Sequence, residues 1–427
     1  MNLRYPCQSS EHTIARRGFL GTMTAGAIVG GLGAFTQSVL AEQLKRGQKR
    51  VVIWDMHGGL SQLESWDPKP GTETGGPFLS IATSVPGIHV CELMPRTAQQ
   101  MHHLCLVRGV NIDENDHGKA RYKMMTGRQQ IPGVSNPQIG AVAARTLMPE
   151  NYALPGHIVI SPGGGGGRSN DASYLGPRYA SVQLGGGKPP QNSTLPDSVT
   201  VESDASRQEI RRRMNERFLN RRRSSIAEAY GHSYEQALQM MSQRDVFDVS
   251  KEPTADQERY GTHDLGRHAL LARRLLEYGT PVVKVTHSNY DTHHENFNFH
   301  IEQLAEVDRA FSCFVEDLAE RGMLDSTLIV VLSEFGRTPT VNYRYGRDHW
   351  GKAWSIAMAG CCIPRGATYG KTSDKGTEVV DGEVDHASLF HTYLAAAGVD
   401  TSGSFHIEGR EVPIADPASQ PIYDILG

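Results

Sequence analysis

The sequence predicts an α/β protein with a doubly wound, mostly parallel sheet that carries helices on both faces. Short apolar runs alternate along the chain with segments of helical periodicity, which is typical of strand–helix–strand units. Acidic residues and histidines follow the ends of several of these runs. Ligands of open α/β sheets bind beyond the carboxyl ends of the strands, so the polar groups predict a site at that edge.

Six apolar runs predict buried strands, because each is short, continuous and bounded by polar or glycine residues. Buried parallel strands have this continuous pattern, whereas half-exposed strands alternate apolar and polar residues. The six runs are 51–54, 104–108, 156–161, 281–286, 327–332 and 354–359.

Helical periodicity is clearest in two segments that precede predicted strands. One apolar stripe extends from Ile301 to Leu318, and Gly322 is its expected C-cap. The same pattern covers residues 265–278 and ends before Gly279. Both segments are therefore expected to be helices that pack on the sheet.

Residues 203–245 differ from the rest, because they are long, polar and helix-forming. They contain two arginine triplets, at 211–213 and 221–223. The triplets could meet an acidic partner, or they could lie on a solvated helix whose charge Glu209 and Glu216 partly balance. We favour the solvated helix, and we expect a helical insertion at about 203–245.

Two glycine-rich segments predict loops. Gly163–Gly167 could cradle a phosphate through backbone amides, but the Gly-Lys-Ser/Thr context of a P-loop is missing. We therefore expect a flexible loop beside the site. The stretch Gly185–Pro196 predicts a second loop.

The N-terminus predicts a twin-arginine export signal. Arg16-Arg17-Gly18-Phe19-Leu20 is followed by an apolar stretch of small residues, and Val39-Leu40-Ala41 is a small-residue cleavage site. An N-terminal membrane anchor is the alternative. We favour cleavage because the stretch is only weakly apolar. The mature chain would start at residue 42 and be periplasmic or otherwise exported.

Composition restricts the partners of the mature chain. The whole chain has 43 basic and 47 acidic side chains, and residues 1–41 contain three of the arginines and one glutamate. The remaining 40 basic and 46 acidic groups argue against a nucleic acid partner, which would need a basic face. After signal removal no segment is long and apolar enough to span a membrane. Residues 42–427 are expected to form one domain.

Nine ionisable residues follow the predicted strands or lie in the loops beyond them. Neighbouring carboxylates repel unless a cation or proton offsets them, so the group suggests a divalent metal site. Mixed oxygen and nitrogen ligands favour Zn, Mn or Fe, while carboxylates alone would favour Mg or Ca. Arg337 and Arg347 flank the group and could bind an anion or pair with the acidic residues. The nine residues are Asp55, His57, Asp116, His117, Asp291, His293, Glu334, Asp348 and His349.

Five segments together closely resemble a bacterial family known as domain of unknown function 1501. They occur in the order 51–70, 117–128, 290–293, 333–339 (SEFGRTP) and 346–350 (GRDHW). The resemblance covers almost the whole mature chain. It implies the alkaline phosphatase and sulfatase superfamily, with its doubly wound sheet and often a two-metal site. The activity of the family is not established, so the resemblance implies the fold more than the function.

The superfamily pattern carries over to several metal-binding positions. Asp55 resembles the first metal-binding Asp of the superfamily, and Asp291, His293 and His349 resemble later ligands. Glu334 stands where the superfamily usually has Asp. Phe335 takes the position of a further ligand and cannot bind a metal. The resemblance thus implies a metal centre of Asp55, Asp291, His293, Glu334 and His349.

The nucleophile position of the superfamily is the clearest departure. Sulfatases have Cys-x-Pro-x-Arg and, at the end of the same helix, Thr-Gly-Arg. In this chain His117 and Arg121 take the Cys and Arg positions, with Thr126-Gly127-Arg128 at the same spacing. His117 could be a nucleophile, a metal ligand or a general base. If His117 is a ligand, a water activated by the metal would attack instead.

Two functions remain open from the sequence. One is hydrolysis of a phosphate or sulfate ester on a small anionic or sugar-derived substrate, with Arg121 or Arg337 neutralising the anion. The other is a catalytically inactive binding or assembly protein on the same fold, since positions 117 and 335 have lost the usual groups.

Overall fold

The computed structural model describes residues 47–149, 152, 154–221 and 225–427. The expected signal segment 1–41 lies outside these residues, as do Arg222 and Arg223 of the second arginine triplet. None of the described helices combines the length and apolarity needed to cross a membrane.

The described residues form strands and helices in alternation along most of the chain. The strands are β1 Arg50–Met56, β2 Ser80–Ala82, β3 His89–Cys91, β4 Leu104–Val110, β5 His157–Ile160, β6 Gly165–Arg168, β7 Val182–Leu184, β8 Val282–His287, β9 Thr327–Leu332, β10 Gly336–Arg337, β11 His349–Trp350, β12 Trp354–Ala359, β13 Ala367–Tyr369, β14 Lys371–Thr372, β15 Val379–Asp381, β16 Ser404–Ile407 and β17 Arg410–Pro413. The α-helices are α1 Pro95–Gln99, α2 His117–Thr126, α3 Ile139–Leu147, α4 Val201–Arg221, α5 Ser225–Ser242, α6 Thr254–Tyr260, α7 Asp264–Glu277, α8 Asn296–Glu320 and α9 His386–Ala396.

Nine strands form the central sheet, in the order β13-β4-β12-β9-β1-β8-β5-β7-β6. Neighbours from β9 to β7 pair in parallel, while β12 runs antiparallel to both β9 and β4. All six predicted strands belong to this sheet, and the two predicted helices are α7 and α8. The predicted α/β class with a mostly parallel sheet is confirmed.

Alternate residues of the central strand β1 point to opposite faces of the sheet, and both faces are covered. Val52, Trp54 and Met56 belong to one apolar core, which also contains residues of α7 and α8. Val51 and Ile53 belong to the other, with residues of α2, α3 and α9. A strand covered on both faces must be apolar at successive positions, which explains its continuous apolar run.

The glycine run differs in part from its expected structure. Gly163 has a left-handed φ of 77°, as a turn requires, but Gly165–Arg168 form the edge strand β6. This strand pairs antiparallel with β7. The expectation of a loop over the whole run was wrong, because Gly165 and Arg168 pair with β7 across a register shift, where Gly166 adopts a φ of 92° that glycine tolerates.

Helices α4 and α5 lie in the segment expected to be a helical insertion. In the first arginine triplet, Arg212 pairs with Glu235 at 3.2 Å and Arg213 with Glu209 at 2.8 Å. Arg211 also pairs with Glu235. These ion pairs within the chain agree with the interpretation of a solvated helical face.

Candidate metal centre

The sheet topology brings distant parts of the chain to one edge. Strands β1, β8 and β9 are parallel neighbours, so the residues that follow them emerge side by side. Strand β12 runs in the opposite direction and therefore begins at this edge. His349 lies just before it, in β11. His117 is the first residue of α2, the helix that follows β4.

Three side chains present possible metal-binding atoms to one another. The donor atoms of His117, Asp291 and His349 all lie within 4.8 Å of each other. Nε2 of His117 is 3.3 Å from Oδ2 of Asp291. Nε2 of His349 is 3.0 Å from Oδ1 of the same carboxylate.

His293 adjoins this group. Its Nε2 atom lies 3.1 Å from Oδ1 of Asp291 and 2.9 Å from Nε2 of His349. A tetrahedral site with bonds of about 2.1 Å separates neighbouring donor atoms by about 3.4 Å. The separations of His293 from Asp291 and His349 are therefore close to those of atoms that share one ion, although His293 is not among the three residues whose donor atoms all lie within 4.8 Å of each other. We call these four residues the three-histidine group: His117, Asp291, His293 and His349.

The other ring nitrogen of each histidine is held by an acceptor. Nδ1 of His349 lies 2.7 Å from the carbonyl oxygen of Asn115, which can only accept, so Nδ1 carries the proton. Nδ1 of His293 lies 2.6 Å from Oδ1 of Asp348. A partner on Nδ1 leaves the Nε2 lone pair free for a metal, and metal-binding histidines almost always have such a partner.

Glu334 holds the third histidine instead of facing the other donors. Its Oε1 atom is 2.9 Å from Nδ1 of His117 and also accepts from the backbone NH of Gly58 at 3.0 Å. Its Oε2 atom accepts from the hydroxyl of Ser333 at 3.2 Å. Burial alone would raise the pKa of Glu334, but hydrogen bonds from His117 and His57 hold it well below its usual range. Glu334 is therefore a buried, charged carboxylate that orients His117.

His117 is placed between two carboxylates. The hydrogen bond to Glu334 raises the pKa of His117 more than its partial burial lowers it, and Asp291 adds to the increase. A proton on Nε2 would occupy the position of a metal. Metal binding therefore has to displace that proton.

Arg337 fixes Asp291 and is completely buried. Its Nη2 atom donates to Oδ1 of Asp291 at 2.7 Å, while Nε donates to the carbonyl of Gly59 at 2.9 Å. Burial would raise the pKa of Asp291, but the hydrogen bond and the charge of Arg337 lower it to about 2. Of the two alternatives for Arg337, binding an anion or pairing with an acidic residue, the structure shows the second, because its guanidinium is engaged with Asp291 inside the protein. We infer that it positions Asp291.

Asp55 lies apart from the three-histidine group. Its two oxygens accept from Arg121, at 3.1 Å for Oδ1 and 2.5 Å for Oδ2. The ammonium of Lys284 lies 3.6 Å from Oδ2. Burial would raise the pKa of Asp55, but the charges of Arg121 and Lys284 lower it. The resemblance implied that Asp55 binds a metal, whereas its carboxylate here faces two cations of the chain.

Phe335 packs against the site at a position where the resemblance had implied the loss of a further ligand. Its ring stacks on His349 with centroids 4.4 Å apart and lies 4.9 Å from the ring of His117. Phe335 is fully buried. It provides an apolar wall that limits the movement of two histidines.

Two contributors to the site were missed in the sequence. Lys284 interrupts the apolar run of β8, and a lysine inside such a run was a signal for a buried charge pair. Strand pairing places it opposite Ile53, two residues before Asp55 and on the same face. The carbonyl of Asn115 left no signal, because every residue has one.

A family model described as a protein of unknown function, DUF1501, matches residues 48–426. The chain belongs to this family. A search of curated proteins finds no match. The DUF1501 match covers all the residues of the three-histidine group, but it assigns no activity.

Solved structures similar to this DUF1501 chain include three enzymes or superfamily members from bacteria. A sulfatase from Pseudoalteromonas sp. is 12% identical with a TM-score of 0.41, over 89% of this chain and 74% of that one. A protein in the alkaline phosphatase superfamily from Vibrio parahaemolyticus is 12% identical with a TM-score of 0.37, over 83% and 67%. The alkaline phosphatase from the Antarctic bacterium TAB5 is 11% identical with a TM-score of 0.35, over 83% and 98%.

Proposed function

We propose that this DUF1501 protein is a metal-dependent hydrolase of a phosphate or sulfate ester. The observation that carries the proposal is the three-histidine group, in which the Nε2 atom of each histidine lies 3.0 to 3.3 Å from an oxygen of Asp291 while each Nδ1 has an acceptor. Three nitrogens and one oxygen suit Zn or Mn better than Mg or Ca, which prefer oxygen ligands.

The exposure of the group supports a catalytic rather than a structural metal. The side chains of His117, His293 and Asp291 are 36%, 39% and 47% exposed. Structural zinc sites are closed to solvent, whereas a catalytic zinc accepts a water or substrate as a further ligand and can expand to five ligands. A substrate could therefore approach from solvent.

Each residue has a definite role in this proposal. A divalent metal would act as a Lewis acid on the ester oxygen. His117, Asp291, His293 and His349 would hold it. Both ring nitrogens of His117 face carboxylates, which supports the ligand role over the nucleophile role. The guanidinium of Arg121 is 28% exposed and would contribute positive charge toward a small anionic or sugar-derived ester.

The test combines metal analysis with turnover. Purified protein, loaded with Zn²⁺ or Mn²⁺, is assayed with p-nitrophenyl phosphate and p-nitrophenyl sulfate. We expect hydrolysis by the loaded protein and at least a hundredfold loss in His349→Ala. The control is His406→Ala, because that histidine is 76% exposed and pairs only with Glu411 among its ionic partners in the described part of the chain. Equal activity of both variants would refute the proposed site.

The alternative is a catalytically inactive binding protein on the same fold. Phe335 favours it, since a fully buried ring stands where the superfamily has a ligand. Metal bound at full occupancy without turnover of either ester would support this alternative.

We further propose export of the mature chain by the twin-arginine route, with cleavage after Ala41. The motif Arg16–Leu20 supports it. N-terminal sequencing of the protein from the periplasmic fraction is the measurement. An intact N-terminus in the cytoplasm would contradict export.

A further inference from the structure

We infer that this protein holds one metal ion, because its own cations Arg121 and Lys284 replace a second. The inference rests on the proposed function and restricts the metal centre to the three-histidine group. The resemblance to the superfamily implies a two-metal centre in which Asp55 is a ligand. The three-histidine group provides ligands for one ion. The surroundings of Asp55 do not suit a second ion.

Both oxygens of the Asp55 carboxylate contact positively charged side chains. Arg121 donates to both oxygens in a bidentate pair, at 3.1 and 2.5 Å, and Lys284 approaches Oδ2 to 3.6 Å. Asp55 is completely buried. Charge-assisted bidentate pairs are among the strongest hydrogen bonds in proteins. A metal at Asp55 would have to break this pair and then remain beside two like charges.

Glu334, the other carboxylate behind the three-histidine group, is engaged with groups of the protein. Oε1 accepts from His117 and Gly58, and Oε2 lies 3.2 Å from the hydroxyl of Ser333, which also donates to the carbonyl of Met56 at 2.5 Å. Its remaining close ionic neighbour is His57, whose Nδ1 atom lies 3.4 Å from Oε1 and 3.1 Å from Nη1 of Arg121. Two donors of the protein thus already occupy Oε1 of Glu334.

Charge balance leads to the same conclusion. Asp55 and Glu334 contribute two negative charges behind the three-histidine group, and Arg121 and Lys284 contribute two positive charges. Among the described residues, each of these two carboxylates therefore has a positive or hydrogen-bonding partner, which weakens its attraction for a divalent ion. Phe335 stands at the position of a further ligand and offers no donor atom. Fixed organic cations therefore supply the charge that a second metal would bring.

Metal counting tests this directly. The full chain is stripped with a chelator, reloaded with excess Zn²⁺, desalted, and measured by elemental analysis and native mass spectrometry. We expect one zinc per chain in the unmodified protein. We also expect one in Asp55→Asn, with a dissociation constant changed less than about threefold, because Asp55 is not a ligand.

Asp291→Asn is the matched control, since the same isosteric change falls on a residue of the three-histidine group. We expect it to hold no zinc after desalting. Asp55→Asn removes the carboxylate partner of Arg121 and of the buried Lys284, so circular dichroism and thermal melting check its folding. If the single variant does not fold, the double variant Asp55→Asn with Lys284→Met replaces it in the zinc measurement, because the second substitution removes one of the unpaired positive charges.

The possible outcomes separate the two proposals. Two zinc ions per chain, or loss of zinc in folded Asp55→Asn, would overturn the single-metal inference and leave the metal-dependent function standing. No zinc in the unmodified chain would overturn the proposed function and this inference with it.

Discussion

Nδ1 of His117 lies 2.9 Å from Oε1 of Glu334, so a buried carboxylate aims the Nε2 atom of this imidazole at Asp291. In the same way, Oδ1 of Asp348 lies 2.6 Å from Nδ1 of His293, but the side chain of Asp348 is 55% exposed. The two pairs differ mainly in burial. The energetic value of an orienting carboxylate rises as solvent is excluded, because water screens the interaction less.

The first prediction compares these two carboxylates. Glu334→Gln should weaken Zn²⁺ binding about 10- to 100-fold, because the orienting partner of His117 loses its charge. Asp348→Asn makes the same isosteric change at an exposed position and should weaken Zn²⁺ binding less than about tenfold. Competition with a chromogenic chelator measures both constants. A larger loss in Asp348→Asn would contradict the role given to Glu334.

The second prediction concerns the close approach of Gly346 to His293. A Cβ atom on Gly346 would lie 2.1 Å from the carbonyl carbon and oxygen of His293. Gly346→Ala must therefore displace the backbone of His293, and we expect at least tenfold weaker zinc binding. Chelator competition measures the change. Gly167→Ala is the control, because open space surrounds that glycine. Equal zinc affinity in both variants would show that His293 is not a ligand.

The third prediction concerns a buried ion pair. Nη2 of Arg347 lies 2.9 Å from Oε1 of Glu64, and neither side chain is exposed. Arg347 had been considered for anion binding, but this geometry makes it structural. Arg347→Met should lower the free energy of unfolding by about 3–5 kcal/mol, because a buried carboxylate remains without its partner. Urea denaturation measures it. Adding Glu64→Leu should recover part of the loss, and a larger loss in the double variant would contradict the explanation.

The fourth prediction concerns acid stability. Burial lowers the pKa of His268 to about 4, whereas an unfolded histidine titrates near 6.5. The unfolded chain therefore takes up the proton first as pH falls. Stability from this group is complete above about pH 6.5 and is lost toward pH 4, by up to about 3 kcal/mol.

His268→Gln should flatten that decrease, since glutamine cannot ionise and can still accept the hydrogen bond that the backbone NH of Gly186 donates at 3.3 Å. Urea midpoints between pH 7 and 4.5 measure the difference. An unchanged pH slope in the variant would refute the assignment to His268.

The strands of the sheet could be predicted because burial on both faces leaves an unmistakable apolar run. Strand direction could not, since β12 is as apolar as its parallel neighbours and runs opposite to them. The convergence of Asp291, His293 and His349 followed from their positions beyond strand ends. The pairing of Asp55 with Arg121 did not follow from the sequence, because a carboxylate at a strand end can face a metal or a guanidinium. The contact depends on how helix α2 places Arg121 beside β1.

Because β12 runs antiparallel to β9, the segment that joins them begins and ends at the same edge of the sheet. Leu332 ends β9 and Trp354 begins β12, and these two strands are adjacent in the sheet. The 21 residues between them carry Glu334, Arg337 and His349, so one contiguous arc supplies a large share of the site from two neighbouring anchor points. Because both ends of this arc are fixed in adjacent strands, its sequence can change without altering the strand order of the sheet.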